Sequence, residues 1–393
     1  MNEASAVKWY IFLWDVFLCA LGSYGGPEAH YGIFSSILVK RRKYITEEVL
    51  TEMIGLYALV PGPSSTQTIT AIGYYMGGKW LAILTFLVWA LPAIIVMAFI
   101  GVFFTQIANN DSWQPLLKYL PAAAVGFIIY AAFTLSSKVL KSKGDIILFV
   151  VMLILALLFA GISVWIVPIL LILGGMTLLL PHLKDQTKTK IRYKPKWYIL
   201  GIVILLAITN EILNNSISTP VLNLYTSFYR YGYSVIGGGQ IVIPLMIQDL
   251  VQSQSLISLS DFLAGYAIDQ AIPGPLFSFG AFVSARSFAG TGFSFLAGLI
   301  GGLSIFLPGI LLVFFIFPLW QSSRKMPQMK YFLKGVSITA ASLILMTAIN
   351  QSVALKVDIV VYSVVIVLTG LLLSKKVPAP LLIVLAMIAG FIF

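Results

Sequence analysis

Apolar residues in this chain do not alternate with polar ones; they run together. "WLAILTFLVWALPAIIVMAFIGVFF" (80–104), "IILFVVMLILALLFAGI" (146–162), "VWIVPILLILGGMTLLL" (164–180), "WYILGIVILLAI" (197–208) and "IVVYSVVIVLTGLLL" (359–373) approach or exceed the ~20 residues that cross a bilayer core as helix. The pattern predicts an all-α polytopic membrane protein. Two interruptions stand out, "LVPGPSSTQT" (59–68) and "AIPGPLFSFG" (271–280). Proline removes a backbone donor and clashes with the preceding turn, and glycine loosens what remains, so each marks a broken helix.

The two PGP copies lie 212 residues apart (273 less 61), and other landmarks keep that offset. Gly25-Gly26 pairs with Gly237-Gly238, and "QPLLKYL" (114–120) pairs with "MPQMKYF" (326–332). "ALPAII" (90–95) and "FLPGIL" (306–311) agree after a four-residue insertion. The chain reads as a tandem duplication: a first repeat over 1–181, a basic linker plus an extra transmembrane segment over 182–218, and a second repeat over 219–393. Six crossings are expected in the first half, near 7–24, 47–77, 79–105, 115–137, 145–161 and 163–181. With 197–213 added the count is seven, so the halves are expected to be inverted, their broken helices meeting near the membrane midplane.

Only 10% of the 393 residues are charged, against about 25% in soluble domains, which leaves too few to clothe a soluble fold. The net charge of +11 does not point to nucleic acid. Its lysines and arginines sit in short loops, at Lys138/Lys141/Lys143, in 184–196, at Arg324/Lys325 and at Lys375/Lys376, which is the positive-inside pattern. One cluster conflicts with the seven-crossing count: "KRRK" (40–43) falls outside, unless the PGP segments are re-entrant hairpins. The N-terminus has no basic stretch followed by a small-residue cleavage site, so the first apolar run reads as a retained helix. The lone Cys19 excludes an intrachain disulfide. With only His30, His182 and Cys19 as soft ligands, and no HExxH, GxSxG or Walker A pattern, neither a metal, a cofactor nor an enzymatic activity is expected.

Each PGP starts a new helix whose first turn exposes amides and a partial positive charge, a ready anion site. After Pro61, Gly62 and Pro63, the side chains of Ser64, Ser65, Thr66 and Gln67 add donors, although a hydroxyl there also serves as a helix cap. Pro273, Gly274 and Pro275 are followed by Leu276 and Phe277, and only Ser278 keeps a hydroxyl. Gly25, Gly26, Gly237 and Gly238 permit close helix approach or a second unwound stretch. Arg230, in "YTSFYRYGYSVIGGG", suits an oxyanion or snorkels to the interface. Its repeat counterpart is Leu18, so the duplication does not demand it. Asp269 either pairs with a cation or carries a proton. Glu28 and His30 read as loop residues just past the first glycine pair, either solvated or titrating during transport.

"GGPEAHYGIF", the basic run before "YITEE", "LVPGPSSTQTITAIG" and "ALPA" resemble the first half of the chromate ion transporter family. "YRYGYSVIGGG", "GYAIDQAIPGPLFSFGAFV" and "IFLPG" resemble the second half of its long, two-domain form. The resemblance implies secondary export of chromate, a tetrahedral dianion, across the cytoplasmic membrane, conferring chromate resistance. It carries function onto Gly25, Gly26, Pro27, His30, Pro61, Gly62, Pro63, Ser65, Thr66, Arg230, Gly237, Gly238, Pro273, Gly274 and Pro275. Leu18 stands where the family often has a basic residue, and Ser64 where it commonly has Asn or Ala. Those departures keep sulfate or another anion open as substrate, carried or passed through a channel. The expected partners are such an anion, the lipid bilayer and a second copy of the chain.

Overall fold

A computed structural model describes residues 8–24, 27–57, 60–108, 114–159, 166–182, 197–216, 219–235, 242–322, 327–355, 358–374 and 376–392. All regular structure among them is helical. The first half contains α1 (Trp9–Leu21), α2 (Pro27–Phe34) running into π1 (Ser35–Arg41), α3 (Glu47–Tyr57) and α4 (Ser64–Ala108). It continues with α5 (Gln114–Leu117), α6 (Leu120–Val139), α7 (Lys143–Phe159) and α8 (Ile166–Leu179), and α9 (Trp197–Ser216) follows. The second half contains α10 (Pro220–Ser234), α11 (Val242–Met246) running into π2 (Ile247–Ser253), α12 (Leu259–Ala271), α13 (Phe279–Ser287) and α14 (Ser294–Ser304). It ends with α15 (Leu307–Ser322), α16 (Pro327–Ala354), α17 (Ile359–Ser374) and α18 (Ala379–Ile392).

Four spans, Ser64–Phe104, Gln114–Ser137, Ser294–Pro318 and Lys334–Ala354, are long and apolar enough to cross a membrane. Five shorter apolar helices accompany them. In hydrocarbon every backbone group must be satisfied within the chain, and the described residues do so by helix. This is a multi-pass membrane protein.

The backbone repeats its irregularities 212 residues apart. π1 and π2 are seven residues each and begin at Ser35 and Ile247. Lys43 and Ser255, just beyond them, are the two non-glycine residues with positive φ among those described, at 56° and 51°. Gly62 and Gly274 hold φ of 122° and 139°, a region open to glycine and strained for anything else.

The chain divides into two compact units, and each draws on both halves of the sequence. The first comprises residues 1–102, 193–233 and 272–322. Within it, α4 turns back on itself at Gly77-Gly78, where Gly78 has φ of 74°. Gly73 packs on Thr85, and Thr66 meets Trp89, so the arms 64–76 and 79–108 form a hairpin. The longer arm runs antiparallel to α14 and α15. Ile94 touches Gly302, Ala98 touches Gly298, and the rings of Phe99 and Phe295 are 4.6 Å apart. Small residues at these crossings let the backbones approach, the usual basis of helix association in lipid.

The helix α2–π1 occupies a stretch expected as loop. It runs back along α1: Gly22 lies beside Ile33, the rings of Phe12 and Tyr44 are 5.5 Å apart, and Arg42 Nε sits 2.9 Å from Asp15 Oδ2. "KRRK" therefore returns toward the end at which α1 begins. The segment 47–77, expected as one broken crossing, is two short helices joined through the first PGP, the second being the short arm of the α4 hairpin.

The second unit comprises residues 103–192, 234–271 and 323–393. Its hub is α16, which packs on α6, α7 and α8, with α17 and α12 against α6. Gly174 and Gly335 meet backbone to backbone, and Thr339 fills the space a side chain at Gly174 would need. Ser142 accepts from Asp145 N–H, while Asp145 Oδ2 accepts from the amides of Lys141 and Ser142, a capping box at the start of α7. The other carboxylate oxygen pairs with Lys334 at 2.7 Å.

Candidate functional site

Both PGP breaks belong to the first unit, and each packs against a long apolar helix. A Cβ on Gly62 would stand 2.9 Å from the Cα of Gly309, which lies near the centre of the 294–318 span. A Cβ on Gly274 would stand 2.5 Å from Ala93 Cβ, close to the centre of the apolar run 80–104. Ala93 and Gly309 are themselves equivalent positions in "ALPAII" and "FLPGIL". Each break is thus pressed against the same place in the opposite half. Prolines at 61, 63, 273 and 275 stop the preceding helix, and the positive-φ glycine turns the chain into the next one.

After the first break, the short arm of α4 begins at Ser64. Its first intrahelical bond runs from Gln67 N–H to the Pro63 carbonyl at 2.9 Å. The N–H groups of Ser64, Ser65 and Thr66 therefore have no intrahelical acceptor. Their side chains do not cap the helix; they meet three aromatic residues. Tyr31 OH donates to Ser64 Oγ at 2.9 Å, His30 Nδ1 lies 3.0 Å from Ser65 Oγ, and Trp89 Nε1–H donates to Thr66 Oγ1 at 3.1 Å. Because Ser64 and Thr66 accept from these partners, their own hydroxyl protons remain to be donated elsewhere. Gln67 Nε2 donates to the carbonyls of Pro61 (2.8 Å) and Gly309 (3.1 Å), tying the break to its opposite half.

All of this is buried. Ser64, Ser65, Thr66, Gln67, Thr68 and Thr70 are each at most 4% exposed, along an arm that in an apolar membrane would ordinarily be Leu or Val. Among the described residues, Gln67 Oε1, Thr68 Oγ1, Thr70 Oγ1 and His30 Nε2 have no hydrogen-bond partner. A buried polar atom without a partner costs about 1–3 kcal/mol, so such a cluster is the mark of a place that water or a solute fills.

The second break is poorer in donors. Gly274 N–H donates to the Ser23 carbonyl at 2.8 Å, and Leu276 and Phe277 fill the positions of Ser64 and Ser65 with buried apolar groups. Ser278, the remaining hydroxyl, is buried and lies in a short 3-10 turn before α13.

His30, expected as a loop residue, is 1% exposed on α2, with its ring edge against Trp89 at 5.3 Å. The structure brings His30 to Ser65 across 35 residues of sequence. Arg230 is half-buried on α10, 5.8 Å from the Tyr231 ring and within electrostatic reach of Tyr233, whose hydroxyl donates to Glu211 at 2.9 Å. Asp269 is buried at the end of α12, in the second unit, while Arg230 and Pro273–Pro275 belong to the first. Gly25, Gly26, Gly237 and Gly238 lie outside the described residues, as does the side chain of Glu28.

Sequence reasoning missed Tyr31 and Trp89. Tyr31 follows His30 in the motif and was within reach of notice, whereas nothing marks Trp89 among the aromatic residues of its run. It also missed the pair of buried Asp15 and part-exposed Arg42. There the Asp15 carboxylate also accepts from Tyr44 OH at 2.5 Å and raises the guanidinium's pKa through their hydrogen bond.

The family model for chromate transporters matches residues 10–180 and 222–391. An uncharacterized transporter of Methanocaldococcus jannaschii is 25% identical over 384 residues, covering 94% of this chain and 90% of the relative. A probable chromate transport protein of Synechococcus elongatus is 24% identical over 393 residues, covering 96% and 93%. A chromate transport protein of Cupriavidus metallidurans is 23% identical over 389 residues, covering 94% and 89%. No solved structure matches. With both halves matched, this chain belongs to the chromate transporter family.

Proposed function

We propose that the chain is a secondary transporter that exports chromate across the cytoplasmic membrane and so confers resistance to it. The observation that carries this reading is the buried short arm of α4. Three first-turn amides, two hydroxyls already oriented by aromatic donors and a run of unpartnered polar atoms lie along it. Such a site stabilises a tetrahedral oxyanion by direct hydrogen bonds and by the helix N-terminus. Arg230, on α10 of the same unit, is the positive charge of this reading. Outward movement of a dianion is driven by an inside-negative potential worth about 2.3 kcal/mol per charge per 100 mV.

The antiparallel course of the long α4 arm and its repeat equivalent, α14–α15, supports inverted halves. In the topology that follows, α1 with α2–π1 and α3 with the short α4 arm enter and leave on one side. Crossings are made by the long arm of α4, α6, α7, α8, α9, α14–α15, α16, α17 and α18. Five crossings separate equivalent points, which gives inversion. "KRRK", 138–143, the 184–196 linker, Arg324/Lys325 and Lys375/Lys376 then all lie inside.

Sulfate is the competing substrate, left open by the departures at Ser64 and Leu18. Uptake of labelled chromate and sulfate into proteoliposomes under an imposed potential separates the two. Chromate flux that saturates and follows the potential supports the reading. Sulfate flux alone replaces the substrate, and flux at channel rates without saturation replaces the mechanism.

A further inference from the structure

Gln67 departs from the chemistry of its surroundings. The start of the short α4 arm otherwise offers hydrogen: the amides of Ser64, Ser65 and Thr66, and the hydroxyl protons of Ser64 and Thr66. The Gln67 carboxamide lies over the break, with Nε2 donating to the Pro61 carbonyl at 2.8 Å and the Gly309 carbonyl at 3.1 Å. Both acceptors are carbonyl oxygens, so the carboxamide has one orientation; turned round, it would set oxygen against oxygen twice. Its Oε1 is thereby fixed, in a residue that is 0% exposed, and has no hydrogen-bond partner among the described residues.

That oxygen and the free amides belong to the same end of the arm. Helical side chains lean toward the N-terminus of their helix, and Gln67 stands one turn after Ser64. A Cβ on Gly62 would lie 2.9 Å from Gln67 Nε2 and 3.2 Å from its Cδ, so the carboxamide reaches the mouth of the helix, toward which the first-turn amides point. For a bare oxyanion an unmet acceptor there is a penalty, because two oxygens meet with no proton between them. For an oxyanion that carries its own proton it is a partner. Chromate takes up a proton close to neutral pH, whereas sulfate does so only in strong acid. One fixed acceptor therefore separates two ions that share tetrahedral shape and full charge.

We propose that the site binds the singly protonated oxyanion, hydrogen chromate, whose O–H donates to Gln67 Oε1 while its other oxygens accept from the amides and hydroxyls of the first turn. The identity of the anion rests on the transport reading above. The membrane potential then acts on one charge, and sulfate is disfavoured because no proton bridges it to Oε1.

The ionisable groups packed around this arm are few. α2 brings His30 to Ser65 and Tyr31 to Ser64, and α3, which leads into the break, carries Glu52 and the buried Tyr57. α10, which meets Pro308 through Gly232, carries Arg230 and four tyrosines, while α15, which holds Gly309, has no ionisable residue. His30 is the rival seat for a proton, since its Nε2 is also buried without a partner among the described residues. A proton held on the protein would serve sulfate as well as chromate, and that difference makes the proposal testable.

Binding of dilute labelled chromate and of labelled sulfate is measured by equilibrium dialysis against the purified full-length protein, from neutral to mildly alkaline pH. Over this range chromate is mostly the dianion, so the half-saturating total concentration should rise about tenfold for each pH unit as hydrogen chromate is depleted. Sulfate should bind weakly and without dependence on pH. Chromate affinity that ignores pH overturns the proposal, because the dianion is then the ligand. Parallel pH dependence for both anions overturns it as well, by placing the proton on His30 or another protein group. Gln67→Met keeps the side chain's length without the acceptor and should flatten the rise for chromate; an undiminished rise would show that Oε1 does not take the proton. The wild-type series decides the proposal even where that variant fails to fold. Proteoliposome flux is read separately. The expected pH dependence without flux keeps the proposal and removes the transport reading, and flux with a chromate affinity blind to pH does the reverse.

Discussion

Gly274 and Ala93 approach so closely that a Cβ on the glycine would stand 2.5 Å from the alanine methyl, and the glycine holds φ of 139°. Gly274→Ala therefore meets both a clash and a strained backbone, and it is expected to lower stability by about 1–3 kcal/mol. Adding Ala93→Gly removes the clash and leaves the dihedral strain, so the double variant recovers only part of the loss. Thermal unfolding in detergent measures both. A Gly274→Ala protein that melts with the wild type would sink the packing described here.

Gly62→Ala is expected to behave differently in one respect. Its Cβ would meet Gln67 Nε2 and the Cα of Gly309, each at 2.9 Å. Displacing Gln67 also breaks the bonds to the Pro61 and Gly309 carbonyls that fix the start of the short α4 arm. Transport should then fall even where purification yields folded protein. Unchanged flux in Gly62→Ala would mean that the geometry of that first turn is irrelevant to the anion.

The hydroxyls themselves make a graded prediction. Thr66→Val keeps the shape of the side chain but removes the proton left free by the bond from Trp89. A hydrogen bond to a charged ligand is worth about 1.5–3 kcal/mol, which corresponds to roughly a tenfold or larger rise in the half-saturating chromate concentration. Trp89→Phe, which removes the N–H that orients Thr66, should produce a smaller change in the same direction. If Thr66→Val transports chromate with unchanged half-saturation, the hydroxyl does not touch the ion.

The helical membrane class was legible because hydrocarbon permits few alternatives: apolar runs such as 80–104 have little choice but to be helix. The PGP landmarks stood out because they are residues with special backbone demands, and those demands appear as positive φ at Gly62 and Gly274, 212 residues apart. The helix α2–π1 was not legible. "GGPEAHYGIFSSILVKRRK" carries glycine, proline and charge, which read locally as loop. Burial of His30 and the tie from Arg42 to Asp15 decide its state through contacts far away in sequence. Partners such as Trp89 for Thr66 depend on the turn at Gly78, and no local pattern announces which side chains a hairpin will set face to face.

Asp15 and Arg42 predict an asymmetry of mutation. Asp15 is fully buried, while the Arg42 side chain is 35% exposed. Arg42→Gln leaves a buried carboxylate with Tyr44 as its remaining donor, whereas Asp15→Asn leaves a guanidinium that can turn to water. Stranding a buried charge is the costly step, so Arg42→Gln should destabilise more than Asp15→Asn. Combining the two should be milder than Arg42→Gln alone, because the stranded charge is gone. Additive losses in thermal unfolding would show that the pair is not coupled.

Lys43 and Ser255 test the inversion of the halves. They are exposed, stand 212 residues apart and share a positive φ just beyond π1 and π2, so each marks the same point of its repeat. The five crossings proposed between equivalent points put them on opposite sides, Lys43 inward beside its basic neighbours and Ser255 outward in the uncharged run "QSQS". In a Cys19→Ser background, Ser255→Cys should react with a membrane-impermeant maleimide on intact cells, and Lys43→Cys only after permeabilisation. Labelling of both from outside, or of neither until the membrane is opened, would place the two repeats in the same orientation and remove the inverted topology proposed for the halves.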